Sequence, residues 1–131
     1  MDGMLKDDQQ INYTHKGNTE VYLDRKIFRN ILLNLLSNAI KYSNAAIDLN
    51  TVVGNNKLIL SISDKGIGIP EEEQQNLFVR FFRAKNAENI QGTGLGLSIV
   101  QRYLELLNGT IEFSSKLDQG STFIVKLPQN D

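Results

Sequence analysis

Asn30, Asn34, Asn38 and Lys41 recur every three or four residues. At 100° per residue they stack on one side of a helix. Ile31, Leu32, Leu35, Leu36, Ala39 and Ile40 form most of the remaining helix surface, so the helix is expected to be buried. Amides and an ammonium taken into a core need partners, because an unpaired polar group there is costly. One such asparagine is most simply satisfied by neighbouring protein groups. Three of them with a lysine point instead to a polar ligand. Amide oxygens beside a cation suit a divalent metal together with an anion, as in magnesium and phosphate.

A second group lies in Asp64-Lys-Gly66-Ile-Gly68-Ile-Pro70. Residues 57–64 alternate, so Leu58, Leu60, Ile62 and Asp64 share a strand face. The carboxylate then points to the apolar side at the strand's end. Asp before Gly is common in plain turns, but an inward carboxylate is also a good acceptor. Adenine offers an amino donor at N6 where guanine offers an oxygen, so Asp64 would select adenine. Gly66 and Gly68 would let the backbone approach the base.

The third group is Gly92-Thr93-Gly94-Leu95-Gly96-Leu97, opening a helix that reaches about residue 107. Leu97, Val100, Leu104 and Leu107 give that helix an apolar stripe, and Asn108-Gly109 closes it. Glycines ahead of a helix expose N–H groups to an anion. No strand directly precedes them and no Gly-Lys-Ser/Thr follows, which excludes a dinucleotide fingerprint and a P-loop. Between residues 70 and 92 a proline and three glutamates suit a helix start. Leu77, Phe78, Phe81 and Phe82 follow, with little regular core pattern after them. This stretch is expected to be a mobile lid held by aromatics. Arg80, Arg83 and Lys85 read as solvated charges, with Arg83 best placed to reach a triphosphate beneath.

The elements that must position these groups can be read in order. Residues 1–10 are polar, and are expected to be disordered or a cloning remnant. Strands are expected over 11–14 and 19–23, with His15-Lys-Gly17 as a turn and His15, the sole histidine, solvated in it. Asp24 is a fitting N-cap for the asparagine-bearing helix. Residues 44–53 and 57–64 read as a hairpin around Gly54-Asn55-Asn56. Strands over 110–115 and 121–127 end the fold at Pro128, with Phe123, Val125 and Leu127 facing inward. The 131-residue length suits one domain. A net charge of -1 provides no global field for nucleic acid. The absence of cysteine excludes disulfides and thiolate metal sites. No apolar run is long enough to cross a bilayer.

Four motifs therefore stand in fixed order: Asn34-Leu-Leu-Ser-Asn38-Ala-Ile-Lys41-Tyr42-Ser43, Asp64-Lys-Gly66-Ile-Gly68-Ile69-Pro70, Leu77-Phe78-Val-Arg80-Phe81-Phe82-Arg83 and Gly92-Thr93-Gly94-Leu95-Gly96-Leu97. They resemble the N, G1, F and G2 boxes of the catalytic and ATP-binding domain of sensor histidine kinases. That superfamily also holds gyrase, MutL and the heat-shock chaperone ATPases. The resemblance covers about 11–128 and includes the closing Gly120-Ser121-Thr122-Phe123. It implies an α+β, two-layer sandwich of the Bergerat type: a mixed, mostly antiparallel sheet covered on one face by about three helices, with a mobile ATP lid. By position it implies that Asn38 holds magnesium, with Asn34 as a second candidate ligand. Lys41 would meet phosphate oxygens and Tyr42 would line the nucleotide site. Asp64 would bind the adenine amino group, with Gly66, Gly68, Ile69 and Phe82 around it. Gly92, Thr93, Gly94, Leu95, Gly96 and Leu97 would supply lid hinge and phosphate-facing amides. Thr122 would sit near the adenine end, and Arg83 would approach the terminal phosphate. Asn34, Asn38, Lys41 and Arg83 are thus the catalytic set, and ATP and magnesium the cofactors.

In the ATP-hydrolysing relatives a glutamate one turn before the metal-binding asparagine activates water. Here that place is Asn34, and an amide cannot take a proton at neutral pH. The resemblance therefore implies slow hydrolysis and phosphotransfer to a histidine brought by a dimerisation domain, with a response regulator further along a two-component relay. His15 does not match an acceptor histidine, so the chain is expected to be part of a longer kinase. It would be cytoplasmic and monomeric by itself, with a parent protein that could be anchored in the inner membrane. The alternatives are a stand-alone serine kinase of the anti-sigma type and a catalytically silent ATP-binding module.

Overall fold

The computed structural model describes residues 9–18, 23–41, 43, 46–76 and 96–128. Its elements are β1 (Ile11–Gly17), α1 (Arg25–Lys41), β2 (Ile47–Gly54), β3 (Lys57–Asp64), α2 (Gly96–Leu106), β4 (Thr110–Lys116) and β5 (Gly120–Pro128), with a 3-10 helix at Glu71–Asn76 after β3. The five strands form one sheet in the order β1-β2-β3-β5-β4. Only β1 and β2 run parallel; the other three pairings are antiparallel.

Local chemistry explains most of the boundaries. Asp24 caps α1, its carboxylate accepting the Ile27 N–H at 3.0 Å. Asn55 and Asn56 both have positive φ, 53° and 61°, which makes a tight turn whose twist matches that of β2 and β3. α2 closes with the N–H of Gly109 on the Leu104 carbonyl and that of Asn108 on the Glu105 carbonyl. With Asn108 at φ 58°, this is a left-handed cap that satisfies the helix's last carbonyls.

The core lies between the helices and one sheet face. α1 contributes Ile31, Leu35, Leu36, Ala39 and Ile40, and α2 contributes Val100 and Leu104. Facing them are Ile47 and Val53 of β2, Leu58, Leu60 and Ile62 of β3, and Phe123, Val125 and Leu127 of β5. The intervening strand residues lie on the other face and are half-buried or exposed. The expected two-layer α+β sandwich is therefore what the chain forms, with two α-helices and one 3-10 helix among the described residues.

Two expectations change. His15, Lys16 and Gly17 are not a turn; they continue β1, opposite Thr51, Val52 and Val53. His15 remains exposed, with Nδ1 2.6 Å from Thr51 Oγ1 and Nε2 2.7 Å from the Asn18 carbonyl. The segment after Pro70 begins as a 3-10 helix, with an i→i+3 bond from Glu73 N–H to the Pro70 carbonyl at 2.9 Å. The strand expected over 19–23 falls mainly on residues outside those described, and so does the lid from residue 77 to 95.

Candidate functional site

Chain direction brings the motifs to one end of the sandwich. β3 ends at Asp64, where β5 begins and β4 finishes, because Asp64 pairs with Ser121 and Lys116 with Gly120. β2 starts at that same end, since Asp48 pairs with Ser63. α1 leads into β2 through five residues, so its last turn also arrives there. Gln9 is buried and donates to the Ser43 carbonyl at 3.0 Å, tying the approach to β1 onto this connection. α2 runs into β4 at the opposite end, which leaves its first residue, Gly96, on the Asp64 side. The end of β3, the start of β5, the last turns of α1 and the N-terminus of α2 thus surround one region.

Asp64 is half-buried, and desolvation raises its carboxyl above the ordinary value, while backbone N–H groups of Gly66 and Ser121 pull it back down. The Gly66 N–H lies 2.9 Å from Oδ1. A carboxylate held this way is short of water, and an amino group arriving opposite it would replace the lost hydration. Ser121 is buried, 8% exposed, and sits directly across from Asp64 on the same sheet face. Thr122 does not: it lies on the other face, opposite Ser63, with its Oγ1 2.8 Å from Ser63 Oγ. The residue of β5 that flanks Asp64 is therefore Ser121, not Thr122. Sequence alternation carried that signal, since Phe123, Val125 and Leu127 face inward and Ser121 shares their parity.

Gly68 is also differently employed. Its φ is 69°, and a Cβ there would overlap the Lys116 carbonyl oxygen. Glycine is needed because the loop packs against the end of β4. Gly120, at φ 111°, likewise lets β5 begin against the Asp64 carbonyl. Ile69 packs against the core, and its N–H donates to Ser115 Oγ at 2.9 Å.

On α1 the asparagine row borders the buried arc rather than lying within it. Asn30 is exposed, while Asn34 and Asn38 are half-buried. Asn30 and Asn34 each donate their amide to a carbonyl one turn back, Lys26 at 3.1 Å and Asn30 at 2.7 Å. With its nitrogen so engaged, Asn34 has its amide oxygen left for another partner. Asn38 sits about 6 Å further along the helix, nearer the Asp64 end. Asn30 is about three turns from that end and is a surface residue. Lys41 is the last residue of α1. Leu97 packs inward against the core. Tyr42, Phe82, Arg83, Gly92, Thr93, Gly94 and Leu95 lie outside the described residues.

No group of three or more His, Cys, Asp or Glu among the described residues could hold a metal by itself. The amide oxygens on α1 do fit a hard cation that keeps most of its ligands from water and phosphate, which is the habit of magnesium.

The sequence profile of the histidine kinase-, DNA gyrase B- and HSP90-like ATPases matches residues 23–131. The chain belongs to this family. It is 42% identical over 110 residues to the circadian input-output histidine kinase CikA of Synechococcus elongatus, covering 81% of this chain and 15% of that protein. It is 39% identical over 110 residues to the signal transduction histidine-protein kinase ArlS of Staphylococcus aureus, covering 81% of this chain and 24% of that protein. The chain thus spans less than a quarter of the length of these relatives. Among solved structures it resembles the mycobacterial sensor histidine kinase MprB, with TM-score 0.79 and 28% identity over 94% of this chain and 85% of that one. Full-length ShkA in complex with AMPPNP gives TM-score 0.80 at 26% identity, over 93% of this chain and 26% of that one. No helix among the described residues is long and apolar enough to cross a membrane.

Proposed function

We propose that this chain is the ATP-binding catalytic domain of a two-component sensor histidine kinase. It donates the γ-phosphate of ATP to a histidine on a dimerisation domain, and a response regulator receives the phosphate afterwards. The observation that carries this reading is the under-hydrated Asp64 carboxylate at the sandwich end where α1 and α2 also converge. Asp64 accepts the adenine amino group, Ser121 flanks it, and the N-terminus of α2 faces the phosphates. Asn38, with Asn34 beside it, would hold magnesium, whose chemistry is to neutralise charge on the transferring phosphoryl group. By their place in the motifs, Lys41 and Arg83 would meet the phosphates.

Asn34 gives the domain its restraint. Its amide nitrogen is bound to the Asn30 carbonyl, and an amide oxygen is too weak a base to take a proton from water. Bound ATP is held for an incoming histidine nucleophile. The relatives, both named histidine kinases, support this branch over a serine kinase or a silent module. Incubating the chain with Mg·ATP and a separately prepared dimerisation domain from the same kinase should yield acid-labile phosphohistidine. Acid-stable phosphoserine, or no transfer despite ATP binding, would refute the proposal.

A further inference from the structure

The net charge of -1 conceals a segregation that the fold creates. Asp48 lies at the start of β2, and Asp118 in the β4–β5 turn. Glu71, Glu72 and Glu73 belong to the 3-10 helix. That helix is held beside β4 by Gln74, whose amide donates to the Ile69 and Ser115 carbonyls, both at 3.1 Å. These acids therefore gather at the Asp64 end. The opposite end is basic. Lys16 lies near the finish of β1, opposite Val52, and Lys57 starts β3, opposite Pro128. Arg25, Lys26 and Arg29 fill the first two turns of α1. All five are exposed. None forms an ion pair with a described residue; the pair near this end joins Lys126 to Glu112 at 3.6 Å. α1 is about 25 Å long, several times the Debye length of about 8 Å at physiological salt. The acidic end therefore does little to cancel the basic one.

The cations on α1 stand against the helix's own field. An N-terminus is the positive end of the macrodipole, where acids stabilise and cations do not, yet the first turn of α1 holds no acid. Asp24, just before it, is engaged by the Ile27 N–H at 3.0 Å. Packing does not call for these cations either, since Ile27 and Phe28 supply the core contacts between them. Like charges held together on an exposed end create a local field for an anionic surface outside the chain.

The kind of surface follows from what accompanies the charge. A protein partner draws its affinity from apolar and aromatic anchors at the centre of the interface. Of the large hydrophobics exposed among the described residues, Val52 and Leu106 belong to the basic end. Val52 lies on the uncovered sheet face with Lys16, and Leu106 ends α2 in the helix layer, so they form no common centre. A bilayer needs none. Its headgroups attract clustered Lys and Arg whatever their exact spacing, and a lone leucine such as Leu106 adds shallow burial. We propose that the basic end of this domain docks on a bilayer that contains anionic lipids. The acidic end, with Asp64, then faces away from the lipid. None of the five cations is assigned to ATP, so this surface stands apart from the nucleotide site.

Sedimentation of the chain with vesicles tests this, using phosphatidylcholine alone and an equal mixture of phosphatidylcholine and phosphatidylglycerol. The chain should sediment with the mixed vesicles, remain in solution with phosphatidylcholine, and be released by high salt. A variant with Arg25→Gln, Lys26→Gln and Arg29→Gln should lose about 100-fold in partition coefficient, at about fivefold for each basic residue near the surface. Its melting temperature should not fall, because the same changes relieve the helix dipole; this separates lost docking from lost folding. Lys65→Gln with Lys116→Gln, at the other end, should bind the mixed vesicles as the wild type does. Equal binding to both vesicle types, a triple variant that binds as the wild type does, or an equal loss in the Lys65 and Lys116 variant would overturn the proposal. Capture of polyglutamate through Arg25, Lys26 and Arg29, with no affinity for the mixed vesicles, would overturn it in favour of an acidic protein face.

Discussion

Replacing Asp64 by asparagine separates what the carboxylate does for binding from what it costs the fold. Its folded-state pKa is raised by desolvation above the ordinary value of 3.8, so the native protein holds this proton more tightly than the unfolded chain does. The associated stability is full below the unfolded value and is lost as pH rises through the folded one. At neutral pH the ligand-free protein therefore carries an under-solvated charge. Asp64→Asn removes the charge and keeps an oxygen for the Gly66 N–H, 2.9 Å away. Its melting temperature without nucleotide should equal or exceed that of the wild type. ATP affinity should move the other way. A hydrogen bond to a charged acceptor contributes about 1.5–3 kcal/mol, so the dissociation constant should rise roughly 10- to 150-fold. For the wild type, ATP affinity should also fall as pH drops through the raised Asp64 pKa, because the protonated carboxyl is a poorer acceptor. Calorimetry with ATP and differential scanning fluorimetry of the free protein read the two halves. An unchanged ATP affinity, or a strongly lowered melting temperature with affinity retained, would refute the reasoning.

Other positions give sharper structural or chemical contrasts. Asn34→Glu places a carboxylate base where the amide now stands and should raise magnesium-dependent phosphate release by about a hundredfold, the low side of general-base effects; an unchanged rate would mean that the amide is not what restrains hydrolysis. Gly68→Ala forces a side chain onto a left-handed backbone and into the Lys116 carbonyl, and should cost about 1–3 kcal/mol or more in urea unfolding. A loss below about 0.5 kcal/mol, typical of an indifferent surface change, would contradict the packing role.

Much of this was legible in the chain. The α1 asparagines, the inward Asp64, the β2–β3 turn and the apolar stripe of α2 all follow from local periodicity and turn chemistry. What escaped depends on distant partners. The course of β1 through Gly17 is set by parallel pairing to β2, across the whole of α1, and its own residues past Ile11 are exposed and carry no inward pattern. The need for glycine at 68 comes from β4, some fifty residues on. Thr122 was named from the motif alone, whereas residue parity with Phe123 puts Ser121 beside Asp64. Ser115 and Gln74 look unremarkable in sequence because their function is to join two segments brought together only by folding.

The account stands on one end of the sandwich receiving a single Mg·ATP. Amide chemical-shift mapping during titration with that nucleotide tests this most directly. The account predicts that the largest changes fall on Asn34, Asn38, Lys41, Asp64, Gly66, Ser121 and Gly96. Changes concentrated instead on β1 and the uncovered sheet face, with these residues silent, would contradict it.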